Sequence, residues 1–288
     1  RLKAVTSILD DKPLLDAHLL GLLRFCSQYY HHPIGDVAQT MLPLSLRNPR
    51  PAVVKGVTRF RVTPAGSELD IDALTRAPRQ RAALRVLRDA APGSLTRAEL
   101  ESLSPGTGNA LRPLQSNGWV ETQIEEPALL PPLPGREPHD LSAEQLAAVD
   151  AVAEHSDEFS TYLLDGVTGS GKTEVYLSLT SAMLERGKQV LVLVPEIGLT
   201  PQIVERFRQH LNVPLVVAHS GLADGARAGA WLAARDGRGA VILGTRSAVF
   251  TPAPNLGLII VDEEHDMSHK QQEGLRYSAR DLALVRAQ

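Results

Sequence analysis

The second half of this sequence predicts an α/β fold with a doubly wound parallel sheet, and three observations carry that expectation. After Asp140, short apolar runs alternate with helix-sized segments. The runs are continuous, the pattern of parallel strands covered on both faces. One run leads into Gly166-Val-Thr-Gly-Ser-Gly-Lys-Thr173, which opens a helical pattern and fits G-x-x-x-x-G-K-[ST] at every fixed position. Strands are expected at 160–165, 189–194, 215–218, 240–243 and 257–261. Helical segments fall between several of them, such as 173–186 and 200–210.

Upstream, residues 1 to about 50 give a strand-like run, an apolar-periodic helix near 16–30 ended by Pro33, and a short helix from Ile34 stopped by Pro43. So few elements look like part of a domain. Residues 51–126 read differently: a strand at 57–62, a turn at Pro64-Ala-Gly66, helices at 78–89, 96–103 and 107–116, and a strand resuming at Trp119. Thr96 with Glu99 makes a capping box at the middle helix. Three short helices followed by a β-ribbon is the order of a winged helix. Motif order leaves two roles open, duplex or junction binding and a protein-contact or spacer domain. Arg81, Arg85 and Arg88 recur at helical spacing beside Arg76 and Arg79, a phosphate-facing stripe or a solvated face. With 24 Arg against 6 Lys in the chain, the solvated face is favoured. Residues 127–140 begin with five prolines in PALLPPLPGREPH and are expected to be an extended linker, with 141–288 beyond it.

At 288 residues and 43% hydrophobic, the chain can hold two or three domains. A net charge of −3 provides no global basic field, so nucleic-acid binding must use local patches. The single cysteine, Cys26, excludes an intrachain disulfide and suits a reducing cytoplasm. No apolar run approaches the ~18 residues of a membrane span. A start at Arg1 instead of Met suggests a piece of a longer protein.

The chemistry concentrates in two places. Gly166, Gly169 and Gly171 let the backbone of Val167, Thr168 and Ser170 curl so that successive amides point into one concavity ahead of a helix N-terminus. Lys172 adds a cation for the outer phosphates of a nucleoside triphosphate, and the Thr173 hydroxyl can ligate Mg2+. That site demands a carboxylate at a neighbouring strand end. Asp262 and Glu263, directly after an apolar run, supply it: Asp262 for the metal, Glu263 to orient or deprotonate the attacking water. His31 and His32 near Cys26 offer no fourth ligand, so a structural role is favoured over a metal site.

Asp262-Glu263-Glu264-His265 resembles the DEAH-type box of superfamily 2 helicases and translocases. Gln145 sits where many such enzymes place an adenine-reading glutamine. Gly244-Thr-Arg-Ser-Ala248 resembles their strand-end motif that touches the DNA backbone, with Thr245, Arg246 and Ser247 as its contacts. The strings GVTGSGKTEVY, LVPEIGLTPQ, HSGL, GTRSAVFTP, DEEHD, KQQEG and RYSARDLA, with YYHHPIGDV and RAPRQRAAL ahead of them, are together similar to the bacterial replication-restart, or primosomal, helicases.

That resemblance implies a RecA-like first helicase lobe at 141–288, a winged helix that contacts DNA at 51–126, and the C-terminal part of a 3′-end DNA-binding domain at 1–50. It implies a DNA-dependent ATPase using ATP and Mg2+, unwinding DNA in the 3′-to-5′ direction at abandoned forks and starting primosome assembly. Partners would be forked and single-stranded DNA, primosome proteins and single-stranded DNA-binding protein, with no membrane. It adds Thr200 to the DNA contacts. A zinc module and a second lobe bearing an arginine finger belong to the family but lie outside these residues, so the chain alone should be nearly inactive. The segment after the acids corresponds to an aromatic-rich coupling loop, with His265, His269, Lys270, Arg276 and Tyr277 joining ATP to DNA. His269 and Leu275 stand where rings are usual, and His269 and Tyr277 are expected to stack on bases. The alternatives are a DNA-binding scaffold with a vestigial nucleotide site, and a P-loop kinase, which the box at Asp262–His265 disfavours.

Overall fold

Two helices open the described chain: the computed structural model describes residues 7–52, 56–125, 128–133, 140–155, 157–167 and 169–288. The strand-like run expected at the start lies outside them. Helix α1 (Ala17–Tyr29) begins where the Asp16 carboxylate accepts from the Leu19 amide at 2.8 Å. Leu19, Leu22, Leu23 and Cys26 form its buried stripe. Cys26 is 0% exposed, and burial pushes its thiol up to about 12. Helix α2 (Ile34–Met41) follows Pro33, and a 3-10 turn at Leu44–Arg47 follows Pro43. His32 lies 3.8 Å from Asp36, and the described residues hold no cluster of three or more metal-ligating side chains.

Contacts divide the chain into Lys55–Pro127 and the remainder. The smaller unit runs β1 (Val57–Val62), α3 (Pro64–Glu68), α4 (Pro78–Asp89), β2 (Leu95–Thr96), α5 (Arg97–Leu103), α6 (Leu111–Ser116) and β3 (Val120–Glu125). Its antiparallel sheet has the order β2-β1-β3, so the strand that follows the helices pairs with the strand that precedes them. Leu84, Leu87, Leu100 and Leu114 meet in one core. The capping box at Thr96 and Glu99 forms with both hydrogen bonds, at 2.7 and 3.1 Å. The arginine stripe does not form a phosphate-facing row. Arg88 donates to the carbonyls of Gly66 and Leu69, fastening α4 to α3, and Arg85 lies 4.0 Å from Asp72.

The larger unit continues with β4 (Leu129–Leu130), α7 (Ala143–Glu154), α8 (Lys172–Glu185), β5 (Gln189–Leu193), α9 (Pro201–Leu211), β6 (Leu215–Ala218), α10 (Asp224–Arg235), β7 (Val241–Gly244), β8 (Leu256–Val261) and α11 (Ala279–Ala287). The sheet order is β4-β6-β7-β5-β8, parallel except for β4. Period-two alternation divides each central strand between two cores. Val190, Val192, Val241, Leu243, Leu215 and Val217 face a layer carrying Leu177 and Met183 of α8 and Phe207 and Leu211 of α9. Leu191, Leu193, Ile242 and Val216 face the opposite layer, built from α10, α11, α1 and α2. Covering on both faces is what the continuous apolar runs required.

Three features depart from the expectations. Residues 7–52 do not stand apart: α1 and α2 complete the second core, and the Tyr30 hydroxyl accepts from the Ser278 amide at 3.3 Å. The expected linker begins with structure, because Ala128 is 1% exposed, β4 pairs with β6, and Leu133 donates to the Arg208 carbonyl at 3.2 Å. Residues 134–139 lie outside the described residues. The strand expected at 160–165 is absent from the sheet. Tyr162 and Leu163 are 44% and 79% exposed, so the burial that would favour pairing against β8 is missing.

Candidate active site

Strand β8 delivers the acids. Its pairing with β5 continues one residue beyond the strand, the Asp262 amide donating to the Leu193 carbonyl at 2.8 Å. The chain then turns sharply, with Glu263 in the left-handed region at φ +44°. A non-glycine residue is held there only where its surroundings over-determine it, and such sites cluster at function. The Tyr176 hydroxyl, from the second turn of α8, donates to Asp262 Oδ1 at 3.1 Å and fixes the carboxylate's orientation. Burial pushes the Tyr176 phenol well up, with Asp262 beside it adding to the effect, so the hydroxyl keeps its proton.

The glycine-rich loop closes on the opposite wall. Gly171 is the N-cap of α8 at φ +82°, and a Cβ there would also strike the Gln145 amide. Lys172 Nζ donates to the Gly166 carbonyl at 2.7 Å and lies 3.6 Å from Glu263 Oε1. Gln145 is committed at both ends. Its Oε1 accepts from the Ser142 amide at 2.9 Å in a capping box of α7, and its Nε2 donates to the Ser170 carbonyl at 3.2 Å. Gln145 therefore clamps the loop from behind. Thr168 lies outside the described residues.

Val167, Gly169, Gly171, Lys172, Thr173, Arg206, Asp262 and Glu263 line one cleft of about 340 Å3. Hydroxyl and carboxylate oxygens from Thr173 and Asp262 in one cleft are the hard donors Mg2+ prefers, with the remaining positions left to water and phosphate. Residues 142–288 match the model of the DEAD/DEAH box helicase family. The chain belongs to that family. Residues 1–43 match a 3′ DNA-binding domain. The chain is 42% identical, over its whole length, to the replication restart protein PriA of Haemophilus influenzae, of which it covers 40%. It is 36% identical to PriA of Chlamydia pneumoniae over 98% of itself and 39% of that protein. Over 53% of its length it is 47% identical to PriA of Bacillus subtilis, covering 19% of it. The chain thus spans about 40% of the length of the first two of these relatives, and the resemblance read from the motifs holds.

The DNA contacts expected from the sequence are distributed unevenly. Thr200 caps α9, accepting from the Ile203 amide at 3.4 Å, beside Ile197, which is 85% exposed. Ser247 is exposed, but Thr245 is 4% exposed, its backbone tied to the Ala218 carbonyl at 3.1 Å. Arg246 is occupied: it donates to the carbonyls of Ser268 and Lys270 at 3.0 and 2.9 Å. It braces the segment that follows the acids.

That segment corrects the stacking expectation. His269, Leu275 and Tyr277 are 3%, 2% and 2% exposed, so none offers a face to a base. Tyr277 packs against Phe250 with ring centroids 4.8 Å apart, and burial pushes its phenol up to about 12. His269 Nε2 lies 2.9 Å from the Asp262 carbonyl, which only accepts, so that nitrogen carries the hydrogen. Its Nδ1 is buried with no hydrogen-bond partner among the described residues. Lys270 pairs with Ser278 in a short bridge and the Gln271 amide donates to the Tyr277 carbonyl at 2.9 Å, closing the segment on itself. Lys270 and Arg276 are exposed, while Arg280 is paired with Glu264 at 2.9 Å. The Ser268 amide, donating to the Asp266 carboxylate, holds that acid below its usual range. His265 is 77% exposed and 3.8 Å from Glu263.

The sequence reading missed Tyr176, Glu174 and Arg206 because each is an ordinary helix residue until the fold brings Arg206 to the cleft and sets Tyr176 and Glu174 against Asp262 and Arg206. The Tyr176 contact makes an expectation. In Tyr176→Phe, the Asp262 carboxylate loses its orienting donor, and the Mg2+ concentration giving half-maximal ATPase should rise by about tenfold or more, for one lost hydrogen bond to a charged group. An unchanged Mg2+ titration would remove Tyr176 from the metal-positioning shell.

Proposed function

We propose that this chain forms the first, nucleotide-binding lobe of a DNA-dependent ATPase that unwinds DNA 3′-to-5′ at abandoned replication forks and starts primosome assembly. The observation that carries this is the convergence of Lys172, Thr173, Asp262 and Glu263 on one cleft. Lys172 meets the outer phosphates, releasing Glu263 from the pair it now makes. Thr173 and Asp262 would hold Mg2+, which when bound supplies charge neutralisation on the phosphate oxygens. Glu263 then orients the attacking water. The DNA reading draws on the 3′ DNA-binding domain match at residues 1–43 and on the exposed Thr200, Ser247, Lys270 and Arg276.

Lys172→Ala should weaken binding of a fluorescent ATP analogue by about 10- to 100-fold, the value of a charge-assisted phosphate contact. Unchanged binding, together with intact fork unwinding by the full-length protein carrying the same change, would favour a DNA-binding scaffold with a vestigial nucleotide site.

A further inference from the structure

We propose that Arg206 is a second phosphate-binding cation of this cleft and that Glu174 is the residue that positions it. The inference rests on the reading of the cleft as a triphosphate site and goes beyond the loop and the acids that define it.

Arg206 comes from α9, away from both sequence motifs, yet its side chain lines the cleft beside Val167, Gly169, Lys172, Thr173, Asp262 and Glu263. It is paired with the carboxylate of Glu174, the residue directly after Thr173 on α8. The two partners are differently placed: the Glu174 side chain is 12% exposed and that of Arg206 is 45% exposed. A carboxylate so nearly buried needs its counter-charge in place. The guanidinium, by contrast, has an open side. Its five donors are fixed in a planar fork, so it can keep one edge on a carboxylate and offer the other to a phosphate.

Charge accounting in the cleft points the same way. The lining places two cations, Lys172 and Arg206, against two carboxylates, Asp262 and Glu263. Lys172 is shared with Glu263 and the Gly166 carbonyl. A triphosphate arriving with its metal still carries surplus negative charge on the terminal phosphates, and Arg206 is the cation whose protein partner lies to one side of the opening. The ion pair holds the guanidinium at that opening before nucleotide arrives, so little side-chain freedom is lost when it engages.

A structural brace between α8 and α9 would use the same pair, and the two roles separate by which partner is changed. Binding of fluorescent ADP and of a slowly hydrolysed fluorescent triphosphate would be measured on the chain carrying Arg206→Gln, Arg206→Lys, Glu174→Gln or Lys172→Ala, with a thermal melt of each without nucleotide. The expected result is that Arg206→Gln weakens the triphosphate about tenfold or more and ADP by less, as one lost charge-assisted contact requires. Arg206→Lys should recover part of the loss. Glu174→Gln, which keeps the guanidinium but removes the charged partner that holds it, should weaken triphosphate by about threefold, less than Arg206→Gln does. Unchanged binding in Glu174→Gln would remove its positioning role. Equal losses in Arg206→Gln and Glu174→Gln, tracking equal drops in melting temperature, would overturn the proposal in favour of a brace. Triphosphate binding unchanged in Arg206→Gln would also overturn it. If Lys172→Ala itself binds normally, the triphosphate reading of the cleft fails first.

Discussion

Glu263→Gln is expected to bind ATP as the parent does while its DNA-stimulated turnover falls by about 10²–10⁴-fold, the range for removing a positioned general base. The substitution keeps size and shape, so the left-handed turn at φ +44° and the neighbouring Asp262 stay in place. What it removes is a negative acceptor, 3.6 Å from Lys172 and 3.8 Å from His265. Losing that charge costs the phosphate loop nothing, because Lys172 retains the Gly166 carbonyl at 2.7 Å. Binding and turnover should therefore separate cleanly. Steady-state ATPase of the full-length protein with forked DNA, beside nucleotide titration, measures both. Turnover within threefold of the parent would mean that another group handles the water.

Placing rings back into the coupling segment, with His269→Tyr and Leu275→Trp, is expected to destabilise the protein and not to strengthen its response to DNA. Read from sequence alone, those substitutions restore stacking surfaces. In the folded chain both positions are nearly closed, at 3% and 2% exposure, within a layer that also holds Tyr277 and Phe250. Larger side chains forced into such sites cost about 1–3 kcal/mol each. Tyrosine also gives up the imidazole hydrogen bond to the Asp262 carbonyl, which ties the segment to the acid that would hold the metal. Thermal denaturation of the double variant should show the loss, with DNA stimulation of ATPase unchanged or lower. Greater stimulation at full stability would show that the segment opens to bases and does not act through its buried links.

Local signals were the legible ones. Thr96 with Glu99 announced a helix start, and Thr96 accepts the backbone hydrogen bond expected of a cap. Strands β5, β6 and β7 were legible because burial on both faces leaves a continuous apolar run. The phosphate loop and the acids after β8 were legible because their chemistry is set by neighbours in sequence. What could not be read depends on partners far away along the chain. Arg206 and Glu174 are 32 residues apart, and Arg246 reaches carbonyls 22 and 24 residues on. The docking of α1 and α2 onto the helicase layer is of the same kind, since an amphipathic stripe states that it will be covered but not by what. Exposure was the least legible property: Thr245, His269 and Tyr277 are polar or amphipathic residues in polar stretches, yet the fold encloses them.

Cys26 gives the molecule a built-in chemical probe. The one thiol in the sequence is 0% exposed and pushed up to about 12, so in the native state it is neither reachable nor ionised. To a maleimide the folded surface is blank, and a cysteine introduced at an exposed position would carry the sole label. Labelling of Cys26 itself then times a single event, the lifting of α1 from the layer it completes, and can be followed with and without nucleotide or DNA.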